Sequence, residues 1–202
     1  MTTIVAFSDT HGYNDDVDLP AGDLLIHGGD LTGRGGLWEV EDFDDYLSIR
    51  DHPDKVVIAG NHDGCFEQEP EEARGRLTEA TYLQDEATEV AGLKIWGSPW
   101  TPRFFNWSFM LPRGEALAEK WAMIPEDVDI LITHGPPHGI LDEARGLQSV
   151  GCRELRKRVE AIRPRLHIFG HIHEARGRVD QGGTTFVNAS CFQGGEPFVV
   201  EI

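Results

Sequence analysis

Short apolar runs recur along the chain, and most of them stop at a polar tip. They span 3–9, 24–30, 55–61, 93–98, 129–135, 166–171, 184–190 and 198–202. Rich in Val, Ile and Phe, they have the length of buried strands. Amphipathic stretches of helical length lie between them at 37–50, 113–123 and 150–162. The last has Ser149 as a candidate cap and Pro164 as a stop. The sequence DQGG at 180–183 predicts a hairpin turn. Strands that alternate with helices and close on a hairpin predict an α/β protein with mixed sheets. In such folds ligands bind beyond the carboxyl ends of the strands. No repeat or low-complexity tract interrupts the pattern, so one domain over 1–202 is expected.

The tips carry the chemistry. Asp9 and His11 follow the first run, Asp30 the second, and Asn61, His62 and Asp63 the third. His134 ends the fifth run; His171 and His173 end the sixth. Five of the nine histidines therefore stand at strand ends. Spacing of two residues lets both side chains of an extended segment point the same way. Carboxylate, amide and imidazole together suit a pair of neighbouring divalent ions, with one aspartate shared to offset their repulsion. Glycines beside these residues permit tight turns and close backbone approach.

Net charge narrows the partners. The chain has 35 acidic and 18 basic residues, a formal charge of −17. Such a surface repels polyanions, so long nucleic acids are not expected partners. The acidic stretch at 67–74 reads as a solvated face. No apolar run is long enough to span a membrane, and the N-terminus reads as a strand rather than a secretion signal. Cys65, Cys152 and Cys191 are far apart, which argues for buried thiols in a reducing cytoplasm rather than disulfides or a cysteine zinc site.

The motifs SDTHG, GGDLT, GNHD, THGPP and GHIH resemble those of the calcineurin-like metallophosphoesterase superfamily. The longer segments GSPWTPRFFNWSFMLPRGEAL and IPEDVDILITHGPPHGILD resemble its metallophosphoesterase-domain-containing branch across nearly the whole chain. That resemblance implies a four-layer αββα sandwich of two mixed sheets. It implies one metal held by Asp9, His11 and His173, a second by Asn61, His134 and His171, and a bridging Asp30. His62 is implied as the catalytic acid, with Asp63 beside it in support. The cofactors implied are two divalent ions, Mn²⁺ or an Fe/Mn pair first, with Zn²⁺, Co²⁺ or Ni²⁺ also suited to the ligands. The activity implied is hydrolysis of phosphodiesters, with cyclic nucleotides leading, by in-line attack of a metal-activated water. Alternatives are a phosphomonoesterase, a nuclease on small substrates, or a nucleotide-binding scaffold with little turnover. The partner in each case is a small phosphoester; the oligomeric state is open.

Other residues admit two readings each. The aromatic stretch 97–109, with Trp100, Phe104, Phe105 and Trp107, is either a loop on which a base stacks or a loop packed on the core. Arg103 meets either a phosphate or solvent, and His138 either the substrate or solvent. Trp100, Arg103 and His138 are the candidate substrate contacts. His27 and His167 lie within strands and read as core residues; His52 reads as a surface turn. Asn188 either orients a ligand histidine or caps a turn.

Overall fold

Side chains on the first strand alternate between two cores, and that alternation sets the architecture. The computed structural model describes residues 1–146 and 148–202. In chain order the strands are β1 (Thr3–Phe7), β2 (Leu24–His27), β3 (Asp54–Val57), β4 (Thr81–Tyr82), β5 (Glu86–Val90), β6 (Leu93–Ser98), β7 (Thr101–Pro102), β8 (Met110–Leu111), β9 (Ile130–Thr133), β10 (Leu166–Phe169), β11 (Gly177–Gln181), β12 (Thr184–Asn188) and β13 (Phe198–Glu201). The helices are α1 (Leu37–Ser48), α2 (Cys65–Gln68), α3 (Pro70–Arg76), α4 (Glu115–Ala122) and α5 (Arg153–Ile162).

One sheet has the order β13-β1-β2-β3-β4 and the other β11-β12-β10-β9-β6-β5. Both are mixed: β1 to β4 run parallel with β13 antiparallel, while β12, β10, β9 and β6 run parallel between antiparallel β11 and β5. Ile4, Ala6, Leu24 and Ile26 of one sheet meet Ile130, Ile132, Leu166 and Ile168 of the other. Their neighbours one residue away face outward, as period-two alternation requires. Val5, Phe7 and Leu25 pack on Val40, Phe43 and Leu47 of α1. Leu131 and Phe169 pack on Leu117 and Trp121 of α4 and on Leu155 and Val159 of α5. Helix, sheet, sheet and helix thus form the four-layer αββα sandwich.

Differences from the sequence reading have local causes. Strands β1, β2, β3, β9 and β10 end two to four residues before the ends of the runs that predict them; after β1 and β2 the chain turns into left-handed backbone at Asp9 and Asp30. Helix α5 is capped by Cys152, whose Sγ accepts from the Leu155 amide, and not by Ser149. The acidic stretch at 67–74 is a wet face as expected, yet Pro70 starts a helix there that buries Ala73. His52 is not a surface turn: it is buried, with Nε2 donating to the Pro20 carbonyl at 2.9 Å. All three cysteines are unpaired and buried. No helix among the described residues is long and apolar enough to cross a membrane.

Candidate metal centre

Loops at the carboxyl ends of five parallel strands carry the candidate ligands to one place. Asp9 and His11 follow β1, Asp30 follows β2, Asn61 and His62 follow β3, His134 follows β9, and His171 and His173 follow β10. Four of these residues hold left-handed backbone: φ is 57° at Asp9, 49° at His11, 56° at Asp30 and 67° at His171. Such conformations cost on the order of 1–3 kcal/mol each outside glycine. Bonds between loops maintain them. The His171 amide donates to Asp9 Oδ1 and Oδ2 at 3.0 and 3.1 Å. The His62 amide donates to Asp30 Oδ1 at 2.7 Å, and the His11 amide to the Asp30 carbonyl at 2.9 Å. Glycine is needed where the loops meet: a Cβ on Gly60 would collide with Asp30 Oδ1, and one on Gly170 with Asp9 Oδ2.

Two ligand groups result. Asp9, His11 and His173 form one, and Asp30, His134 and His171 the other, with the ligand atoms of each group within 4.8 Å of one another. Asp30 Oδ2 faces both, at 3.8 Å from His11 Nε2 and 3.3 Å from His134 Nε2. His173 Nε2 lies 3.3 Å from His11 Nε2 and 3.4 Å from Asp9 Oδ1. Asn61 Oδ1 lies 3.0 Å from His134 Nε2. A third group joins His11 and Asp30 to His62.

The electrostatics call for a cation. His134 Nδ1 stands 3.0 Å from the Gly28 carbonyl, which only accepts, so Nδ1 carries a hydrogen. Nε2 then faces two acceptor oxygens, Asp30 Oδ2 and Asn61 Oδ1. Either a proton or a metal must lie among them. Without metal it is a proton: burial opposes the charge on His134, but Asp30 outweighs it and raises the ring to about 9. Burial likewise opposes the charge on Asp9, yet His173 and His134 hold its carboxyl at about 2. Asp30 is held well below the usual carboxylate range by His134 and His11 despite its burial. Burial, reinforced by His134, pushes His171 down to about 3, which leaves it a neutral ligand. Two buried carboxylates are thus ionised with no Lys or Arg beside them among the described residues. Two carboxylates, an amide oxygen and four imidazoles fit a pair of divalent ions.

His62 Nδ1 is 3.0 Å from the Gly33 carbonyl, so Nδ1 donates there and Nε2 is the nitrogen free to exchange a proton. Its ring lies edge-on to His11, with centroids 4.5 Å apart. Asp63 has a different place from the one expected. Its carboxylate accepts from the amides of Leu31, Thr32 and Gly60 and from the Thr32 hydroxyl at 2.7–3.2 Å. It therefore clamps the loop after β2 to the loop after β3 and positions Asp30 and Asn61 rather than touching the His62 ring. Burial and the charge of Asp30 push it up to about 7, against the pull of the Thr32 and Gly60 donors.

The three candidate substrate contacts each have a partner within the protein. Trp100 donates from Nε1 to Asp85 at 2.9 Å and lies edge-on to Phe109. Arg103 reaches the Met110 carbonyl at 3.4 Å, and His138 lies 3.6 Å from Asp142. Aromatics that do reach the centre are Trp107, stacked on His62 at 4.4 Å, Phe104 beside His171 at 5.4 Å, and Phe192 against His173 at 4.3 Å. Phe192 had no sequence signal, because it follows a core strand with no motif of its own. Asn188 donates to the carbonyl of Ile172, between the two ligand histidines, at 2.8 Å. Its Oδ1 accepts from the Ser190 amide at 3.3 Å, so the side chain makes both the orienting bond and the turn-capping one. His27, buried beneath the centre, accepts from the Gly29 amide at Nδ1 and reaches the Thr10 hydroxyl with Nε2, at 3.2 Å each.

A four-layer sandwich with two ligand groups meeting at one aspartate defines a class, the calcineurin-like phosphoesterases. The chain belongs to that family, whose model matches residues 2–175. It is 46% identical over 214 residues to metallophosphoesterase domain-containing protein 1 of Homo sapiens, covering 94% of this chain and 66% of that protein. It is 39% identical over 208 residues to the UPF0046 protein K07C11.7 of Caenorhabditis elegans, covering 96% and 71%. The chain thus spans about two thirds of the length of these curated relatives. Among solved structures, TT1561 of Thermus thermophilus is similar with a TM-score of 0.65 at 18% identity, covering 93% of this chain and 88% of that one. Phosphopantetheinyl hydrolase (PptH) from Mycobacterium tuberculosis has a TM-score of 0.64 at 14% identity, with coverage of 93% and 88%. At those identities the likeness is one of fold. The family implies a dinuclear divalent centre, and the described residues supply candidate groups for both ions.

Proposed function

We propose that the protein is a metal-dependent phosphodiesterase acting on small phosphoesters, with cyclic nucleotides as the leading substrate class. The observation that carries the reading is Asp30 Oδ2, which faces imidazoles of both ligand groups while Oδ1 is held by the His62 amide. Asp9, His11 and His173 would hold one ion, and Asn61, His134 and His171 the other, with Asp30 between. When bound, the pair supplies Lewis acidity at phosphorus and lowers the pKa of the attacking water. Mn²⁺ or Fe/Mn suits the donor set, as do Zn²⁺, Co²⁺ and Ni²⁺.

The chain's own residues do the rest. The Gly33 carbonyl orients His62 so that Nε2 gives its proton to the leaving oxygen, a step worth typically about 10²–10⁴-fold. Trp107 covers one face of that ring and limits its rotation. The acidic surface favours a small substrate over a long nucleic acid. Three unpaired thiols suit a reducing cytoplasm.

The test is an assay of Mn²⁺-loaded protein on 3′,5′-cAMP, 2′,3′-cAMP and bis-p-nitrophenyl phosphate. Hydrolysis that is lost in Asp30→Ala supports the reading. Hydrolysis unchanged in Asp30→Ala, or none with any diester, rejects it.

A further inference from the structure

We propose that the cavity beside His11 is a subsite for a planar heteroaromatic group, held by Trp38 and Phe192; the assignment rests on the phosphoesterase reading above. The cavity has a volume of about 570 Å³, within the usual range for small-ligand sites. His11, His62 and His173 form one side of it. A phosphate at the candidate centre therefore projects a substituent into this space.

Tyr13, Trp38 and Phe192 also line the cavity, Phe192 next to the histidines. The exposures of these three are 69%, 62% and 40%, so each presents apolar surface to solvent. Scattered exposed aromatics are ordinary, but several sharing one cavity beside a polar centre mark a binding surface. Phe192 lies against His173 with an interplanar angle of 31° and edge-on to His11 at 5.3 Å. Its position is thus fixed to the centre, and the remainder of the ring lines the cavity. Outside the cavity lining, Trp107 and Phe104 rest on His62 and His171. Among the described residues Tyr13 and Trp38 pack on no other ring, so the uncommitted aromatic surface of the cavity is theirs, with the exposed part of Phe192 beside it.

Unpaired donors stand among these rings. Among the described residues, the Tyr13 hydroxyl, the Trp38 indole N–H and the Arg34 guanidinium make no hydrogen bond or ion pair, and all three residues line the cavity. The backbone that carries Arg34 and Trp38 is itself fixed: the amides of Gly33, Arg34 and Gly36 donate to the buried Glu39 carboxylate at 2.8–3.2 Å. Flat faces with donors at their edges suit a ring that carries acceptor nitrogens or oxygens. An aliphatic arm would use neither. Stacking of one base on an aromatic side chain is worth about 1–3 kcal/mol.

The test compares adenosine 3′,5′-cyclic phosphate with the same cyclic phosphate bearing a methoxy group in place of the base. The reacting bonds are identical, so the ratio of the two kcat/KM values reads the subsite alone. We expect wild type to prefer the base-bearing ester, and Trp38→Ala and Phe192→Ala each to lower that ratio about 5- to 100-fold. Trp38→Phe and Phe192→Tyr should keep most of it. Calorimetry of the metal-loaded protein with AMP and with ribose 5-phosphate reads the same surface without turnover. AMP binding tighter, with the advantage lost in both alanine variants, supports the subsite. A ratio that is the same in wild type and variants, or AMP binding no tighter than ribose 5-phosphate, overturns it. Base-dependent binding without hydrolysis of any diester would reject the phosphodiesterase reading and leave the subsite standing.

Discussion

His134 Nε2 stands 3.3 Å from Asp30 Oδ2, and its other ring nitrogen is committed to the Gly28 carbonyl. Both side chains are buried. The pair is therefore a holder for one cation, and what occupies it depends on whether metal is present.

Metal loading should release a proton. His134 is raised to about 9 by Asp30, so the metal-free protein carries a proton on this ring at pH 7. A divalent ion takes its place. Titration calorimetry at pH 7 in buffers of different ionisation enthalpy should give net release of at least one proton per protein, with ionisation of the attacking water adding to it. Affinity should rise with pH up to about 9 and then level. Release of no proton would contradict this picture of the site.

Asn188→Ala should weaken the centre without touching a ligand. The mutation removes the donors to the carbonyls of Ile172 and Leu141, at 2.8 and 3.3 Å. Leaving such carbonyls unsatisfied costs about 1–3 kcal/mol, and loss of ligand support typically costs about 10–100-fold in metal affinity. Urea unfolding and a metal titration measure the two effects separately. A metal affinity equal to wild type would remove Asn188 from the positioning role.

Stability should fall in acid through His167. Burial lowers its pKa to about 3, against about 6.5 in an unfolded chain. Between those values the unfolded state binds a proton that the folded state refuses, so stability is full above about pH 6.5 and declines as the pH drops toward 3. The difference amounts to about 3–5 kcal/mol at the acid end. His167 Nδ1 has no partner among the described residues, and Thr133 keeps its bond to the Gly135 carbonyl without the ring. His167→Phe should therefore fold and flatten the slope of urea midpoints from pH 6.5 to 4. A slope as steep as wild type would refute it.

Gly60→Ala should abolish the centre. Its Cβ would meet the Asp30 carboxylate, the Asp30 amide at 2.6 Å and His134 Cε1 at 2.6 Å, all in well-packed surroundings. A loss of metal content and of at least 1–3 kcal/mol of stability is expected, on the order typical of overpacking. Wild-type metal content in this variant would show that the loops can spread.

Much of the centre was legible in the sequence. Strand-length runs ending in Asp9, Asp30, Asn61, His134 and His171 gave both the α/β class and the cluster, because a parallel strand delivers its polar tip to the ligand end of the sheet. Less legible was what depends on packing between distant segments. Asp63 sits next to His62 in sequence, yet its carboxylate turns to the loop after β2. Trp100 and Trp107 share one aromatic loop, and nothing local tells which reaches the centre: Asp85 captures the first, and His62 stacks with the second. Left-handed backbone at Asp9, His11, Asp30 and His171 left only a faint mark: Asp and His adopt it more readily than most residues, but bonds between loops decide which of them do.

The central claim is that two divalent ions sit on either side of Asp30. Anomalous scattering at the manganese edge from crystals grown with Mn²⁺ tests it directly. The account predicts two peaks about 3.5–4 Å apart, one bounded by Asp9, His11 and His173 and the other by Asn61, His134 and His171, with Asp30 touching both. A single peak, or two peaks that do not share Asp30, would contradict it.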